Sequence, residues 1–180
     1  MPEILFSCEN EIAFHLAPED MPALQALLER SADYFYLVEG QPPKPDDAII
    51  LAQDCPPGWN LDDKFLIGIN DLAGQLIAVI EGLRGYPRQG IYWIGLMLVD
   101  PPQRGQGLGM RIMAGFEQWA RSQGAKQIRL GVVEENTHAM RFWQRCGFKP
   151  YSKSGPVPMG QKNHVIYRLK KKIASSSQGS

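Results

Sequence analysis

With 180 residues, 44% of them hydrophobic, the chain can bury one sizeable core and is short for two. Lys plus Arg equals Asp plus Glu, 19 each, so no net field draws it to nucleic acid or to an anionic membrane, and any anion must be held by local geometry. Three scattered cysteines, Cys8, Cys55 and Cys146, lack CxxC spacing, which argues against a disulfide framework or a zinc site and for reduced thiols in a cytosol.

The opening stretch MPEILFSCENEIAF carries acids where a secretion signal carries bases, and no apolar run approaches the roughly 18 residues of a membrane span. A soluble, cytoplasmic protein is expected. A short strand beginning at Glu11 ends at Pro18, and Leu24, Leu27 and Leu28 then recur at helical spacing behind an acidic first turn. The aromatic, proline-rich and acidic segment that follows reads as a short helix, a corner, and a second helix over about Pro45 to Asp54. Residues 64–71, 75–87 and 90–99 are apolar runs separated by Gly/Pro turns, so they form an antiparallel meander.

Beyond Pro102 the period changes. Leu108, Ile112, Phe116 and Trp119 make one helical stripe closed by Gly124, residues 126–134 read as a strand, and Ala139, Phe142, Trp143 and Cys146 share the face of a second helix stopped at Gly147. Strands around Phe148–Ser152 and Asn163–Leu169 finish the chain. The expected class is α/β (α+β): a mixed, mostly antiparallel sheet flanked by helices, with one parallel strand-helix-strand unit, in a single domain over 1–170 with a frayed tail at 171–180.

The stretch PPQRGQGLG poses the functional question. Pro101 and Pro102 end a strand. Gly105, Gly107 and Gly109 strip side chains from the place where first-turn N–H groups emerge, which makes a helix N-terminus open to an anion, with Arg104 as an added clamp. A turn alone is the structural alternative. A Walker loop is excluded because no Gly-Lys-Ser/Thr occurs, and a dinucleotide fingerprint because position 110 is Met and the upstream strands are antiparallel.

Together, RGQGLG (Arg104, Gln106, Gly107, Gly109) and NTHAMRFWQRCGF (Asn136, Ala139, Phe142, Gly147, Phe148) resemble the paired motifs of the GNAT superfamily of acyl-CoA-dependent N-acetyltransferases, in element order over residues 11–169. The resemblance implies acetyl-CoA as acyl donor, with amides of Gly105, Gln106, Gly107, Leu108, Gly109 and Met110 on the diphosphate beside Arg104. It also implies that Leu98 and Val99 offer backbone to the pantetheine arm. Asn136 would bond that arm, cap its helix, or do both. An N-acetyl transfer by direct attack of a small-molecule or peptide amine is implied, with no metal; a homodimer is a family-level expectation.

One position departs from the pattern. The family commonly has a Tyr after the second motif's apolar residue, to protonate the leaving thiolate; here it is Trp143, whose indole N–H donates a hydrogen bond but is no acid near neutral pH. Tyr92 or Tyr151 is a possible substitute. A protein that binds acyl-CoA without turning it over is the alternative reading. Glu81, at a predicted strand end, is the candidate general base or ammonium anchor, or simply a solvated carboxylate. Tyr34, Tyr36 and Glu39 lie where the family builds a wall of the acceptor cleft, though they also suit a helix packing its aromatics on a sheet.

Overall fold

The computed structural model describes residues 1–173. Its elements are β1 (Ile4–Cys8), β2 (Glu11–His15), α1 (Met21–Arg30), α2 (Ala32–Glu39), α3 (Asp47–Gln53), β3 (Lys64–Asn70), β4 (Leu76–Arg84), β5 (Ile91–Val99), α4 (Leu108–Ser122), β6 (Gln127–Val133), α5 (Thr137–Arg145), β7 (Lys149–Met159) and β8 (Lys162–Lys172). One eight-stranded sheet runs in the order β1-β2-β3-β4-β5-β6-β8-β7. Among the described residues its only parallel pair is β5 with β6, joined across α4 because parallel neighbours need a crossover.

Two apolar clusters sandwich the sheet. Under α4 and α5, Phe65, Tyr92, Phe116 and Trp119 interlock, with Phe65 stacked on Tyr92 at 5.9 Å and 22°. Under α1 and α3, Leu24, Leu27 and Leu28 meet Val79 and Leu98. Each such side chain contributes about 1.5–3 kcal/mol by leaving water, so the α1 and α4 stripes, buried on their sheet faces, fix both helices.

The meander is as expected, but β5 changes parity within itself. Glu81 pairs with Leu96 and Gly82 with Ile94, so Gly95 is the extra residue of a β-bulge. Before it, Tyr92 and Ile94 face the α4 layer; after it, Met97 and Val99 do, while Leu96 and Leu98 turn to the α1 layer. The bulge also ends the parallel pairing. β5 meets β6 only from Ile91↔Gln127 to Ile94↔Leu130, so the strands separate past Gly95 and Gly131.

Three boundaries differ from the sequence expectation. β1 is an additional edge strand, its Phe6 packed where a Cβ on Gly115 of α4 would stand. β7 is longer than Phe148–Ser152 because it continues past Ser154 through an irregularity that accommodates Pro156 and Pro158 on the sheet edge. Residues 171–173 are not frayed: β8 runs through Lys172 and Ile173 is buried, Lys172 pairing with Gln127. Residues 174–180 lie outside the described residues.

Candidate active site

The glycine stretch turns β5 into α4 through a single 3-10 turn, Pro101–Gln103. Gly105 (φ 75°) and Gly107 (φ 79°, the residue before α4) both occupy the left-handed region, which costs an L-residue about 1–2 kcal/mol. A Cβ on Gly105 would meet nothing within 4 Å, and one on Gly107 only Arg111 Nη1 at 3.6 Å. The space in front of the first-turn amides is therefore open. Gly109 is small for another reason: a Cβ there would press on the Phe142 ring at 3.0 Å, so its absence lets α4 and α5 approach.

This mouth leads into a cavity of about 500 Å³ between α2, the end of β5, α4 and α5. Leu98, Val99, Arg104, Gly105, Gly107, Leu108, Gly109, Met110, Asn136 and Trp143 all line it. Gln106 does not: its Nε2 donates to the Pro102 carbonyl at 3.0 Å. Asn136 caps α5, its Oδ1 accepting from Ala139 N at 3.1 Å, and lines the cavity as well. The sequence reading overlooked the cavity role of Asp33, Met97 and His138, since nothing local in the sequence marks them.

A second cavity of about 350 Å³ lies in the gap where β5 and β6 part, bounded by Trp93, Gly95, Leu96, Gly131, Ile166 and Arg168 among others. Tyr34, Met97, Asn136, Ala139 and Trp143 line both spaces. The two cavities thus share a wall at the splay. Past Ile94, β6 offers β5 no ladder partner, which leaves that edge of the strand available to another chain of polar groups.

α2 roofs the junction. Its C-terminal carbonyls are taken by the β7–β8 hairpin: Lys162 Nζ donates to Leu37 O at 3.0 Å, Gln161 N to Glu39 O at 2.8 Å, and the His164 ring nitrogen Nε2 meets Val38 O at 2.7 Å. This docking corrects the expected acceptor wall. Glu39 sits against Gly160, Tyr36 is exposed, and neither lines a cavity; Tyr34 lines both. Burial, with the carboxylates of Glu39 and Glu81 nearby, pushes the Tyr34 hydroxyl up to about 12.

The expected acids fare differently. Tyr92 belongs to the core with Phe65 and Trp119, burial raising its pKa, and it lines neither cavity, so its position withdraws it as proton donor. Tyr151 lies under Arg129 and Lys170, also away from both. Trp143 is buried against Phe142 and Phe148. Glu81 is no solvated strand end: it is 8% exposed and paired with Lys64. Burial raises its carboxyl above the ordinary value, the Lys64 ammonium opposing only in part. Glu81 itself lines neither cavity, yet its Oε2 would lie 2.6 Å from a Cβ on Gly95, and Gly95 lines the second. No cluster of metal-ligating side chains occurs among the described residues.

Residues 23–148 match the acetyltransferase (GNAT) family. The chain belongs to that family. Over 84 residues this GNAT member is 31% identical to an acetyltransferase of Agrobacterium fabrum, an alignment that covers 47% of this chain and 60% of the relative, so it spans less than two thirds of that relative's length. A crystal structure of an acetyltransferase from Thermus thermophilus superimposes with a TM-score of 0.73 at 21% identity, covering 91% of this chain and 97% of the other. A spermidine N-acetyltransferase from Vibrio cholerae, in complex with CoA and spermine, does so at 0.73 and 14% identity over 93% and 98%. At these identities the likeness carries the GNAT fold. No described helix is long and apolar enough to cross a membrane.

Proposed function

We propose that this chain moves an acetyl group from acetyl-CoA to a primary amine by direct attack, with both substrates bound at once. The observation that carries the reading is the shared wall: one cavity opens at the bare N-terminus of α4, the other at the sheet's splay, and five residues face both. Acetyl-CoA supplies an activated acyl group: the amine nitrogen forms the new C–N bond, the C–S bond breaks, and the sulfur leaves with its electron pair and takes up a proton.

The chain's own residues divide the remaining work. The bare amides from Gly105 to Met110, with Arg104 beside them, suit a diphosphate. The unpaired edge of β5 at Met97 and Leu98 suits a pantetheine amide, whereas the Val99 carbonyl already accepts from Arg104 Nε at 2.8 Å. Tyr34, still protonated at neutral pH and lining both cavities, takes the place the absent Tyr leaves at position 143 and donates to the departing sulfur. Glu81, packed behind Gly95 in the second cavity's wall, accepts the amine proton; a carboxylate with a raised pKa is a better base than an ordinary one.

Trp143 favours a second reading, a protein that binds acyl-CoA without turning it over. Incubation of the purified chain with acetyl-CoA and a primary-amine panel separates the two. Free thiol that rises with amine concentration supports transfer, whereas tight acetyl-CoA binding with no thiol release supports the binding protein.

A further inference from the structure

The lining of the second cavity speaks to the class of acceptor, a step that rests on the acetyltransferase reading above. Among the described residues Arg168 is the only charged one that lines this space, and no Asp or Glu does so. Among the same residues the Arg168 side chain has no ion pair or hydrogen bond.

Sheet register leaves open space beside the Arg168 side chain. Arg168 pairs with Gly131 of β6, so its neighbour across the ladder has no side chain, and a Cβ there would meet Ile166 Cγ2 at 3.1 Å and Trp93 Cζ2 at 3.9 Å. Two pairs further along and outside the cavity, Arg129 stands opposite Lys170 on the same face, each within 5.2 Å of the Tyr151 ring centroid. Trp93, Leu96 and Ile166 make the rest of the wall apolar.

We infer that the acceptor is an amine bearing one anionic group, a carboxylate or phosphonate held by Arg168, with an apolar body between the two ends. A second ammonium placed beside an unmatched guanidinium is repelled and finds no carboxylate, so polyamines are excluded. A fork of guanidinium donors matches a planar or tetrahedral oxyanion.

The test uses the full chain with acetyl-CoA, reading free thiol with four kinds of acceptor: the protein amino acids, their decarboxylated amines, the matching 1-aminoalkylphosphonates, and spermidine. At least one anionic amine should exceed its decarboxylated counterpart about tenfold or more in kcat/KM, with spermidine poorest; the better of the acid and phosphonate arms identifies the oxyanion. Arg168→Gln should raise KM for that acceptor roughly 10- to 100-fold, as loss of a charged hydrogen bond does, with kcat and acetyl-CoA affinity within about twofold and partial rescue in Arg168→Lys. Spermidine or a plain amine used as well as the anionic ones, or Arg168→Gln weakening every amine alike, overturns the inference and leaves transfer intact. No thiol release from any acceptor despite acetyl-CoA binding overturns the transfer reading and this inference with it.

Discussion

Arg104 and Asp33, 71 residues apart, are joined by two hydrogen bonds across the rim of the larger cavity, Nη1 to Oδ2 at 2.6 Å and Nη2 to Oδ1 at 3.3 Å. The Arg104 hydrogen bond holds the Asp33 carboxyl below the usual carboxylate value. Arg104 thus straps the first turn of α2 to the end of β5, and an incoming diphosphate competes with Asp33 for the guanidinium. Asp33→Asn should tighten CoA binding about 2- to 5-fold by calorimetry, in line with a half-exposed pair, and Arg104→Ala should weaken it about tenfold. Because a lowered carboxylate pKa keeps the pair intact at every pH above it, the Asp33→Asn effect should stay constant across the neutral range. Weaker CoA binding in Asp33→Asn would show that the pair serves the site rather than competing with it.

Gly105 offers a sharper view of the anion site because a control of the same backbone type sits at the far end of α4. Gly105 and Gly124 both have positive φ, 75° and 92°, and a Cβ on either would meet nothing within 4 Å. Substitution by Ala should cost about 1 kcal/mol of stability at each, read from urea unfolding. Only Gly105→Ala should lower CoA affinity, by tenfold or more, since its methyl occupies the space before the α4 amides. Equal losses of affinity in the two variants would mean that the helix start is not where the diphosphate binds.

How much of this was legible beforehand depends on whether local patterning or long-range register decided the matter. Leu108, Ile112, Phe116 and Trp119 announce α4 because helical period and burial agree, and glycines flanked by Pro and Arg announce its open start because backbone freedom is written in residue type. Tyr92 could not be placed: alternation assigns it a face, but which face becomes core depends on pairing with β4 and β6. The bulge at Gly95 is equally hidden, since a glycine in a strand signals a bulge, a kink or nothing. Arg168 emerged as a lining residue only once β6 and β8 were in register, with Gly131 beside it. β1 escaped notice because its five residues hold an edge with one face exposed, Ile4 included.

Tyr34 and Trp143 face both cavities and can be separated by what each does to turnover. Tyr34→Phe removes the hydroxyl and keeps the ring, which packs edge-on against Phe35 at 5.4 Å. It should lower kcat about 100-fold, within the usual range for a general acid, and leave acetyl-CoA affinity within about twofold. A hydroxyl held at about 12 stays protonated throughout the assay range, so kcat should show no falling limb from this group at mildly alkaline pH. Trp143→Tyr places a phenol where the family commonly has one and should restore part of the activity in the Tyr34→Phe background. If Tyr34→Phe turns over at the wild-type rate, the thiolate leaves without an acid.

Glu81 and Lys64 give the pH dependence its sign. Burial sets the folded-state pKa of Glu81 above its ordinary 4.5, so this group's contribution to stability is complete below 4.5 and is lost as pH rises through the raised value. Gln imitates the protonated acid in shape. Glu81→Gln should therefore match the wild type in urea unfolding at pH below 4.5, gain on it as pH rises through the raised value, and hold a level advantage above it. Lys64→Met does the opposite, leaving a buried carboxylate without its cation, and should cost about 3–5 kcal/mol at neutral pH. Since Glu81→Gln stays folded, its kinetics are readable: as the amine's base, Glu81 should take with it a factor of about 10² to 10⁴ in kcat/KM. Retained kcat/KM in that variant would leave the ion pair beneath Gly95 as a support for the bulge, with the amine losing its proton to solvent.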